Sequence, residues 1–418
     1  MSWSPAWAPP SSTPRPGATA WFRSMTEEEA RTPQPSKSVL DDVVDLRRYF
    51  HKHPEVSFSE HETSRYLKER LREMGLDLES CPTETGAVAL LDTGRPGKTV
   101  MLRADIDALP IQEESGVDFP SRIDGRMHAC GHDAHMAIMI GVARTLIDRI
   151  WDVGGRYLFV FQPAEEIVEG AKAMIARGLL EDHRPDSVIG LHIASFIESG
   201  TVITKPGLLW AGSDAFDVKF AGPGGHGGMM GRRGNVLAAQ AFFVERLHMV
   251  VEGLEQEGVQ CHTTVGNISS DGAWNIVPRG VLVQGSLRTF NAELREQALD
   301  RLHDLLRETQ SEFEVTSSLD LVHGTVPLMN EPNVTRTVLD VGHELIGDRA
   351  SLLGRPLTVS DDFAEFLTRI PGCYFMLGAR PEGDHPPAHH SPGFRIDEAA
   401  LPIGVKVLAG AAARLAAP

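Results

Sequence analysis

The chain has 418 residues, of which 42% are hydrophobic and 23% charged, and it carries a formal net charge of −17. That length exceeds one ordinary core and sets an expectation of two domains; the acidic balance, with no basic run or basic amphipathic helix to offset it, argues against a nucleic-acid partner. No stretch approaches the roughly 20 apolar residues that a membrane span needs, and the four cysteines, Cys81, Cys130, Cys261 and Cys373, are too scattered for a disulfide framework, which points to a reducing, cytoplasmic compartment.

Residues 1–36 are rich in Pro and Ser, with Trp3, Trp7 and Trp21 but no continuous apolar run after a basic start. This reads as a disordered leader rather than a secretory signal, and Met25 stands as an alternative start to Met1. Order begins near Val39. Val43, Leu46, Arg47 and Phe50 keep helical spacing, and residues 63–74 repeat it with Gly75 as a stop. Short apolar runs at 88–91 and 100–102 predict buried strands separated by a turn around Gly94, Pro96 and Gly97. A helix is expected over 136–150, a strand over 157–161, a helix over 171–177 closed by Gly178, and a strand over 188–191. Continuous apolar strands alternating with helices predict an α/β fold, with a mainly parallel sheet covered on both faces.

The pattern changes near residue 210. A half-buried strand at 215–220 is followed by a helix at 235–251, strands at 262–269 and 281–288, a helix at 291–313 and a strand at 315–322. That order, β-α-β-β-α-β, is the ferredoxin-like unit. Segments 338–346 and 373–377 and a helix at 401–415 return to the first pattern. The expected architecture is a catalytic domain of residues 37–208 and 324–418, interrupted by a small α+β domain of residues 209–323.

Open α/β sheets collect ligands at the carboxyl ends of their strands. Asp105 and Asp107 follow the strand at 100–102, Glu165 and Glu166 follow the strand at 157–161, and His192 closes the strand at 188–191. Three strands thus deliver acidic or imidazole groups to one edge. Cys130 and His132 add a thiolate and an imidazole two residues apart. Such donors suit zinc and also manganese, cobalt or nickel. Alone, Cys130 reads as a buried inert thiol, but its neighbours His128, His132, Asp133 and His135 do not describe an apolar core. Glu165 and Glu166, adjacent in a loop, point in different directions, so one could bind metal while the other takes a proton from an activated water. The same pair also fits the acidic start of a helix.

Several segments together resemble the M20 peptidase family, in particular its amidohydrolase branch of hippurate hydrolases, N-acyl amino acid aminoacylases and auxin-conjugate hydrolases. They are Leu102-Arg-Ala-Asp-Ile-Asp-Ala-Leu-Pro110, Met127-His-Ala-Cys-Gly-His-Asp133, Phe161-Gln-Pro-Ala-Glu-Glu166, Gly190-Leu-His192, Gly224-Gly-His-Gly227 and His390-Ser-Pro392, with His51-Lys-His-Pro-Glu55 and Ser360-Asp-Asp-Phe363 in keeping. The resemblance runs from about residue 39 to the end. It implies a Zn-peptidase-like catalytic domain with a ferredoxin-like lid that forms a homodimer. It also implies two divalent metal ions per subunit, zinc before manganese, cobalt or nickel, held by Cys130 as a bridge with His132, Glu166, His192 and His390. Glu165 matches the general base, and Asp107 is expected behind a ligand. His226 matches a histidine that reaches the active site, usually the partner subunit's, and polarises the scissile carbonyl, although by itself it reads as a turn residue. Asn275 and Arg288 match positions that hold the substrate carboxylate. The His-Ser-Pro pattern selects His390 over its neighbour His389, which is left as a supporting or surface residue, and His61, His343 and His385 read as surface groups.

One departure stands out. Related chains continue Gly-His-Gly-Ala-Met-Pro-His, whereas this one reads Gly225-His-Gly-Gly-Met-Met-Gly-Arg-Arg-Gly234. The implied ligands are untouched, but the substrate-facing loop differs. The reaction implied is metal-dependent hydrolysis of an N-acyl amino acid to a carboxylic acid and a free amino acid. A dipeptidase or carboxypeptidase of the same family, an acyltransferase, and a binding protein without catalysis remain as alternatives, the last opposed by the presence of both Glu165 and Glu166.

Overall fold

The computed structural model describes residues 32–383 and 387–418. The leader expected over residues 1–36 falls outside the described residues up to position 31, as do the alternative start at Met25 and His385. Its last residues are not leader-like. Pro33 is buried, and the Thr32 hydroxyl accepts from Arg414 at 3.2 Å. The Ser36 hydroxyl accepts from the Val39 amide and caps the first helix, supplying one of the partners that helix starts lack.

Helices α1 (Lys37–Lys52) and α2 (His61–Glu73) bury Val39, Val43, Leu46, Phe50, Leu67 and Leu71 at helical spacing. Next come strands β1 (Asp77–Leu78), β2 (Ala87–Asp92) and β3 (Thr99–Asp105), helix α3 (His132–Asp148), strand β4 (Arg156–Gln162), helices α4 (Gly170–Ala176) and α5 (Leu179–His183), and strands β5 (Ser187–Glu198), β6 (Val202–Thr204) and β7 (Gly207–Trp210). The inserted segment supplies β8 (Gly212–Ala221), β9 (Gly225–His226), α6 (Val236–Arg246), β10 (Glu255–Gln256), β11 (Val259–Gln260), β12 (His262–Ser270), β13 (Ile276–Val277), β14 (Gly280–Thr289), α7 (Ala292–Phe313) and β15 (Thr316–Thr325). The chain closes with β16 (Leu328–Asn330), α8 (Pro332–Ile346), β17 (Ala350–Leu352), α9 (Phe363–Leu367), β18 (Gly372–Arg380) and α10 (Leu401–Leu415). Among the described residues, no helix is long and apolar enough to cross a membrane.

The large sheet has the order β1-β2-β4-β3-β5-β18-β6-β17. Its centre, β4-β3-β5-β18, is parallel, while β1 and β2 run antiparallel at one edge and β6 runs antiparallel to β18 near the other. Alternation of side chains splits the core in two. Val100, Leu102 and Ala104 join the cluster under α1, α3 and α10, whereas Met101, Leu158 and Val160 join the cluster under α4 and α9. Each such Leu or Val contributes roughly 1.5–3 kcal/mol on burial.

The inserted segment forms its own sheet, β12-β14-β8-β15, antiparallel throughout. In chain order its strands lie 2-3-1-4. Phe216, Val218, Phe220, Val283 and Leu287 pack against Phe243, Leu302 and Phe313 of α6 and α7. Asn235 and Asn291 cap those helices. The chain enters and leaves this segment through β7 and β16, which pair with each other.

Two expectations are corrected. The third helix begins at His132, not residue 136, with His132, Asp133 and His135 all buried on its first turn. Apolar periodicity cannot register polar residues that face inward. Gly131 permits this start, since its φ is +95° and a Cβ there would meet Ile193 at 2.2 Å. The strand expected to stop at Leu191 runs on to Glu198, because β18 continues to pair with it after its pairing with β3 ends at Gly190.

Asp133 ties α1 to α3. It accepts from His51 Nδ1 at 2.8 Å and lies 2.9 Å from Arg47 Nε, while His51 Nε2 meets Glu113 at 3.1 Å. Burial opposes charge on His51, but the bonds to Asp133 and Glu113 outweigh it and raise its pKa. A raised folded pKa stabilises fully below the unfolded imidazole value of about 6.5, and that contribution is lost as pH rises through the higher folded value. His51→Leu should therefore lower the unfolding free energy by about 3 kcal/mol at pH 6. In denaturant titrations the deficit should shrink steadily as pH is taken up into the alkaline range.

Candidate metal centre

The donors predicted from the sequence meet at the carboxyl edge of the parallel strands. Asp105 ends β3 and Asp107 follows it, Glu165 and Glu166 follow β4, and His192 lies on β5 two residues past the last β3 pairing. Cys130 sits in the turn before α3, with His132 as the helix's first residue. His390 arrives from the loop before α10, anchored by its amide on the Ala129 carbonyl at 2.9 Å.

Backbone contacts decide which nitrogen each neutral imidazole presents. His132 Nδ1–H donates to the Asp107 carbonyl at 2.9 Å, so Nε2 faces inward, 3.7 Å from Asp105 and 3.9 Å from each of Glu165 and Glu166. His192 Nδ1–H donates to the Ile193 carbonyl at 2.7 Å, leaving Nε2 3.4 Å from Cys130 Sγ. His390 Nε2 lies 3.3 Å from Glu166 Oε2. Cys130, His132 and His192 form one group with donor atoms within 4.8 Å of one another, and Cys130, Glu166 and His390 form another. Cys130 is common to both.

Three further clusters satisfy the same spacing: His132, Glu165 and Glu166 overlap the two groups, whereas the other two include donors that are already engaged. His135 donates to Asp105 at 2.5 Å and accepts the Ile193 amide at 2.9 Å, so neither ring nitrogen is free. Asp361 and Asp362 are held by Arg103 at 2.9 Å each.

The electrostatics favour positive charge. Burial, then Asp361 and Glu166, push Glu165 well above the carboxylate range. Burial takes Glu166 up to about 8, and His132 is raised to about 10 because Asp105, Asp107 and Glu166 outweigh its own burial. Burial and Glu166 also raise the Cys130 thiol, and burial with His135 and His389 keeps His192 neutral. The cluster binds protons tightly on its own. His132 Nε2, Glu166 Oε1 and Asp107 Oδ1 are buried without a hydrogen-bond partner, so they are oriented and desolvated in advance for a cation. Imidazole, thiolate and carboxylate donors fit a pair of divalent transition metals.

Other predicted residues are placed with different outcomes. Asp107 stands behind the site: its Oδ2 accepts from Ser57 at 2.6 Å and from the Glu166 amide at 3.0 Å. Arg288, on β14, reaches across from the inserted segment and donates to the Ser360 hydroxyl, and burial lowers its pKa. His226 and Asn275 do not reach the cluster in this chain. They belong to the β9–β13 arm, where Gly227 donates to the Asn275 carbonyl at 2.8 Å. His226 is exposed, and its Nδ1 accepts from the Gly228 amide at 3.1 Å, which leaves Nε2–H as a free donor. Around it stand Met229, 87% exposed, Trp274, 96% exposed, and Ile276. His389 proves to be a supporting residue. Its Nε2 accepts the Ser195 amide at 3.2 Å, and its Nδ1–H faces the Cys130 sulfur at 3.8 Å. Of the surface histidines, His61 is exposed, while His343 Nδ1 bonds the Gly347 carbonyl at the end of α8. Sequence reasoning missed Arg103, Gln162 and Tyr374, which tie Asp105, Asp361 and Asp362 together.

A profile of peptidase family M20/M25/M40 matches residues 101–414. The chain is 33% identical over 380 residues to N-acetyl-L-cysteine deacetylase of Bacillus subtilis (strain 168), covering 90% of this chain and 89% of the relative. It is 33% identical over 382 residues to IAA-amino acid hydrolase ILR1-like 5 of Arabidopsis thaliana, covering 90% and 87%. The crystal structure of the YXEP protein of Bacillus subtilis, a dinuclear metal-binding peptidase from the M20 family, is similar with a TM-score of 0.75 at 27% identity, covering 90% of this chain and 98% of that one.

Cys130 is the donor shared by both groups, so Cys130→Ala should bind fewer zinc equivalents per chain than the unaltered protein. Elemental analysis after dialysis measures this, and an unchanged stoichiometry would count against a shared sulfur.

Proposed function

The chain belongs to the M20/M25/M40 peptidase family, and from that premise we propose that it is a metal-dependent amidohydrolase cleaving the linear amide of an N-acyl amino acid. The observation that carries this reading is the sharing of Cys130 between the His132–His192 and Glu166–His390 groups, with Glu165 beside them. The likeness to a deacetylase of an N-acetyl amino acid and to an amino acid conjugate hydrolase supports the substrate class. Cys130, His132, Glu166, His192 and His390 would hold two divalent ions, zinc first and manganese, cobalt or nickel as alternatives. Bound there, the ions supply Lewis acidity and lower the pKa of water to near 7.

The protein's own groups do the rest. Glu165 accepts the proton of the attacking water and returns it to the departing amine. Asp107 fixes the His132 ring through its carbonyl, so Nε2 cannot rotate away. Arg288 pairs with the substrate carboxylate, for which a guanidinium offers two parallel bonds, and Asn275, carried on the same arm as His226, would assist it from a second copy. His226 Nε2–H donates to the carbonyl oxygen as negative charge develops on it. The products are a carboxylic acid and a free amino acid.

His226 would come from a second copy. Arg288 lies near one end of β14 and the β9–β13 arm adjoins the other, near Gly280. Eight residues of strand separate the two ends by roughly 26 Å. A rigid lid that seats Arg288 at the cluster therefore keeps its own His226 away from it. A homodimer through the inserted domain resolves this. The exposed Met229, Trp274 and Ile276 around His226 suit an apolar acyl group. Free thiols at all four cysteines suit a reducing cytoplasm. No nucleic-acid or membrane partner is proposed.

A second reading, a dipeptidase or carboxypeptidase, is favoured by the likeness to a solved structure described as a peptidase. A panel of N-acetyl amino acids, N-benzoyl amino acids and dipeptides, assayed with zinc or manganese added back to chelated protein, separates the two. The acyl amino acids should be turned over with the higher kcat/KM, and faster cleavage of dipeptides would reverse the assignment. Glu165→Gln should retain its metal while kcat falls by about 10²–10⁴. Near-normal turnover by that variant would remove Glu165 as the base.

A further inference from the structure

Glu60 lies between α1 and α2, more than a hundred residues from the loop that carries Glu165 and Glu166. It is 0% exposed. Burying a carboxyl is costly unless it is hydrogen-bonded, so its partner marks what it serves. That partner is the Ala164 amide, at 2.9 Å from Glu60 Oε1.

Ala164 is where the chain leaves β4 and turns into Glu165. Its φ is +53°, in the left-handed region that L residues avoid, and such conformations persist only where the surroundings enforce them. Its carbonyl accepts the amides of Glu169 and Gly170, which closes the turn beyond Glu165 and Glu166. On the far side of Glu165, Asp107 Oδ2 accepts the Glu166 amide at 3.0 Å. Two buried carboxyls thus take the amides of residues 164 and 166 and bracket the residue between them.

Glu60 is itself fixed. Its carbonyl accepts from the Ser64 amide at 2.9 Å and from the Ser64 hydroxyl, whose oxygen accepts the Gly86 amide at 2.6 Å. The clamp therefore runs from the start of β2 through Ser64 and Glu60 to Ala164. Burial and Asp107 raise the Glu60 pKa to about 7. A neutral carboxyl or an amide would still offer the same oxygen to Ala164.

We propose that Glu60 is a positioning residue that clamps the Ala164 amide, enforces the left-handed turn and so sets the backbone from which Glu165 and Glu166 project. Its kinetic consequence rests on the reading of Glu165 as the base of an amidohydrolase; its structural consequence does not. Two variants separate acceptor from bulk. Glu60→Leu keeps most of the volume and loses the acceptor, whereas Glu60→Gln keeps a carbonyl oxygen for Ala164.

The test combines steady-state hydrolysis of an N-acyl amino acid by the zinc-loaded protein with hydrogen exchange of the peptide covering residues 162–170. Glu60→Leu should lower kcat about 100-fold with little change in KM, as expected when a reacting group is displaced by about 1 Å. Exchange at 162–170 should accelerate while the amides of α3 stay protected. Glu60→Gln should remain close to the parent in both readouts. The proposal is overturned if Glu60→Leu keeps the parental kcat and exchange, or if Gln and Leu fall equally. It is also overturned if the Ala164 amide of the unaltered protein exchanges as fast as an open loop, a measurement that needs no variant to fold. Absence of acyl amino acid hydrolysis by the unaltered protein would refute the functional reading instead, and the exchange data would still decide the role of Glu60.

Discussion

Arg103 holds the catalytic edge together. Its guanidinium is fully buried and reaches Asp105 at 2.7 Å, Asp361 and Asp362 at 2.9 Å each, Gln162 at 2.8 Å and the Tyr374 hydroxyl at 3.2 Å. One contact set thus joins β3, β4, β18 and the loop before α9. Asp362 extends it to α4 by accepting the Ala171 amide at 2.9 Å. Removing a single partner would leave a buried charge uncompensated, so the set stands or falls as a unit. Yet one positive charge against three carboxylates leaves the region negative. Glu165, within 4.8 Å of Asp361 and Asp362, and Glu166 add to that imbalance. Two like charges about 4 Å apart repel by about 4 kcal/mol at an effective dielectric of 20, or roughly three pKa units. That repulsion adds to burial, the larger cause, in raising Glu165, and it favours cations at this edge.

The donors are oriented by backbone more than by one another. His132 is aimed by the Asp107 carbonyl, His192 by the Ile193 carbonyl, His389 by the Ser195 amide and His135 by the Ile193 amide. Because strand register fixes those groups, the sheet sets each ring's tautomer as well as its position. Residues 192–195 do most of this, which is why β5 must continue beyond the end of β3. The extension keeps a ladder of fixed amides and carbonyls alongside the cluster.

Much of the layout was legible in the sequence. Alternating apolar strands and helices gave the sheet, and carboxylates just past strand ends gave its active edge. Cys130 and His132 drew notice because an apolar core does not gather such neighbours. What remained hidden was polar and non-local. Arg103 meets Asp361 across 258 residues, and no local period encodes that pairing. The first turn of α3 was missed because His132, Asp133 and His135 face inward where periodicity expects apolar residues. The His-Ser-Pro pattern already separated His390 from His389; the structure adds the reason, since His390 adopts φ +60° and turns toward Glu166 while His389 lies beside Cys130. Glu60 carried no local signal, since its partner is a backbone amide.

The two halves of the molecule differ in how much sequence change they can absorb. At the cluster, Asp105, Asp107, His132, His135 and Glu60 are buried and each is committed to at least one short contact. A substitution there would strand a desolvated polar group, at a cost of about 1–3 kcal/mol even when no charge is involved. The β9–β13 arm is bound by a two-residue pairing and a few loop amides, and His226, Met229 and Trp274 stand in solvent. Replacing residues there disturbs little packing. The loop over residues 228–234, where this chain departs from the pattern it otherwise follows, lies in that permissive zone; Arg232 pairs with Glu312 and lies over the Phe313 ring, and Arg233 pairs with Glu314, all within the inserted segment. Physical tolerance and proposed role coincide: chemistry is fixed in the part that cannot vary, and acyl-group preference is assigned to the part that can.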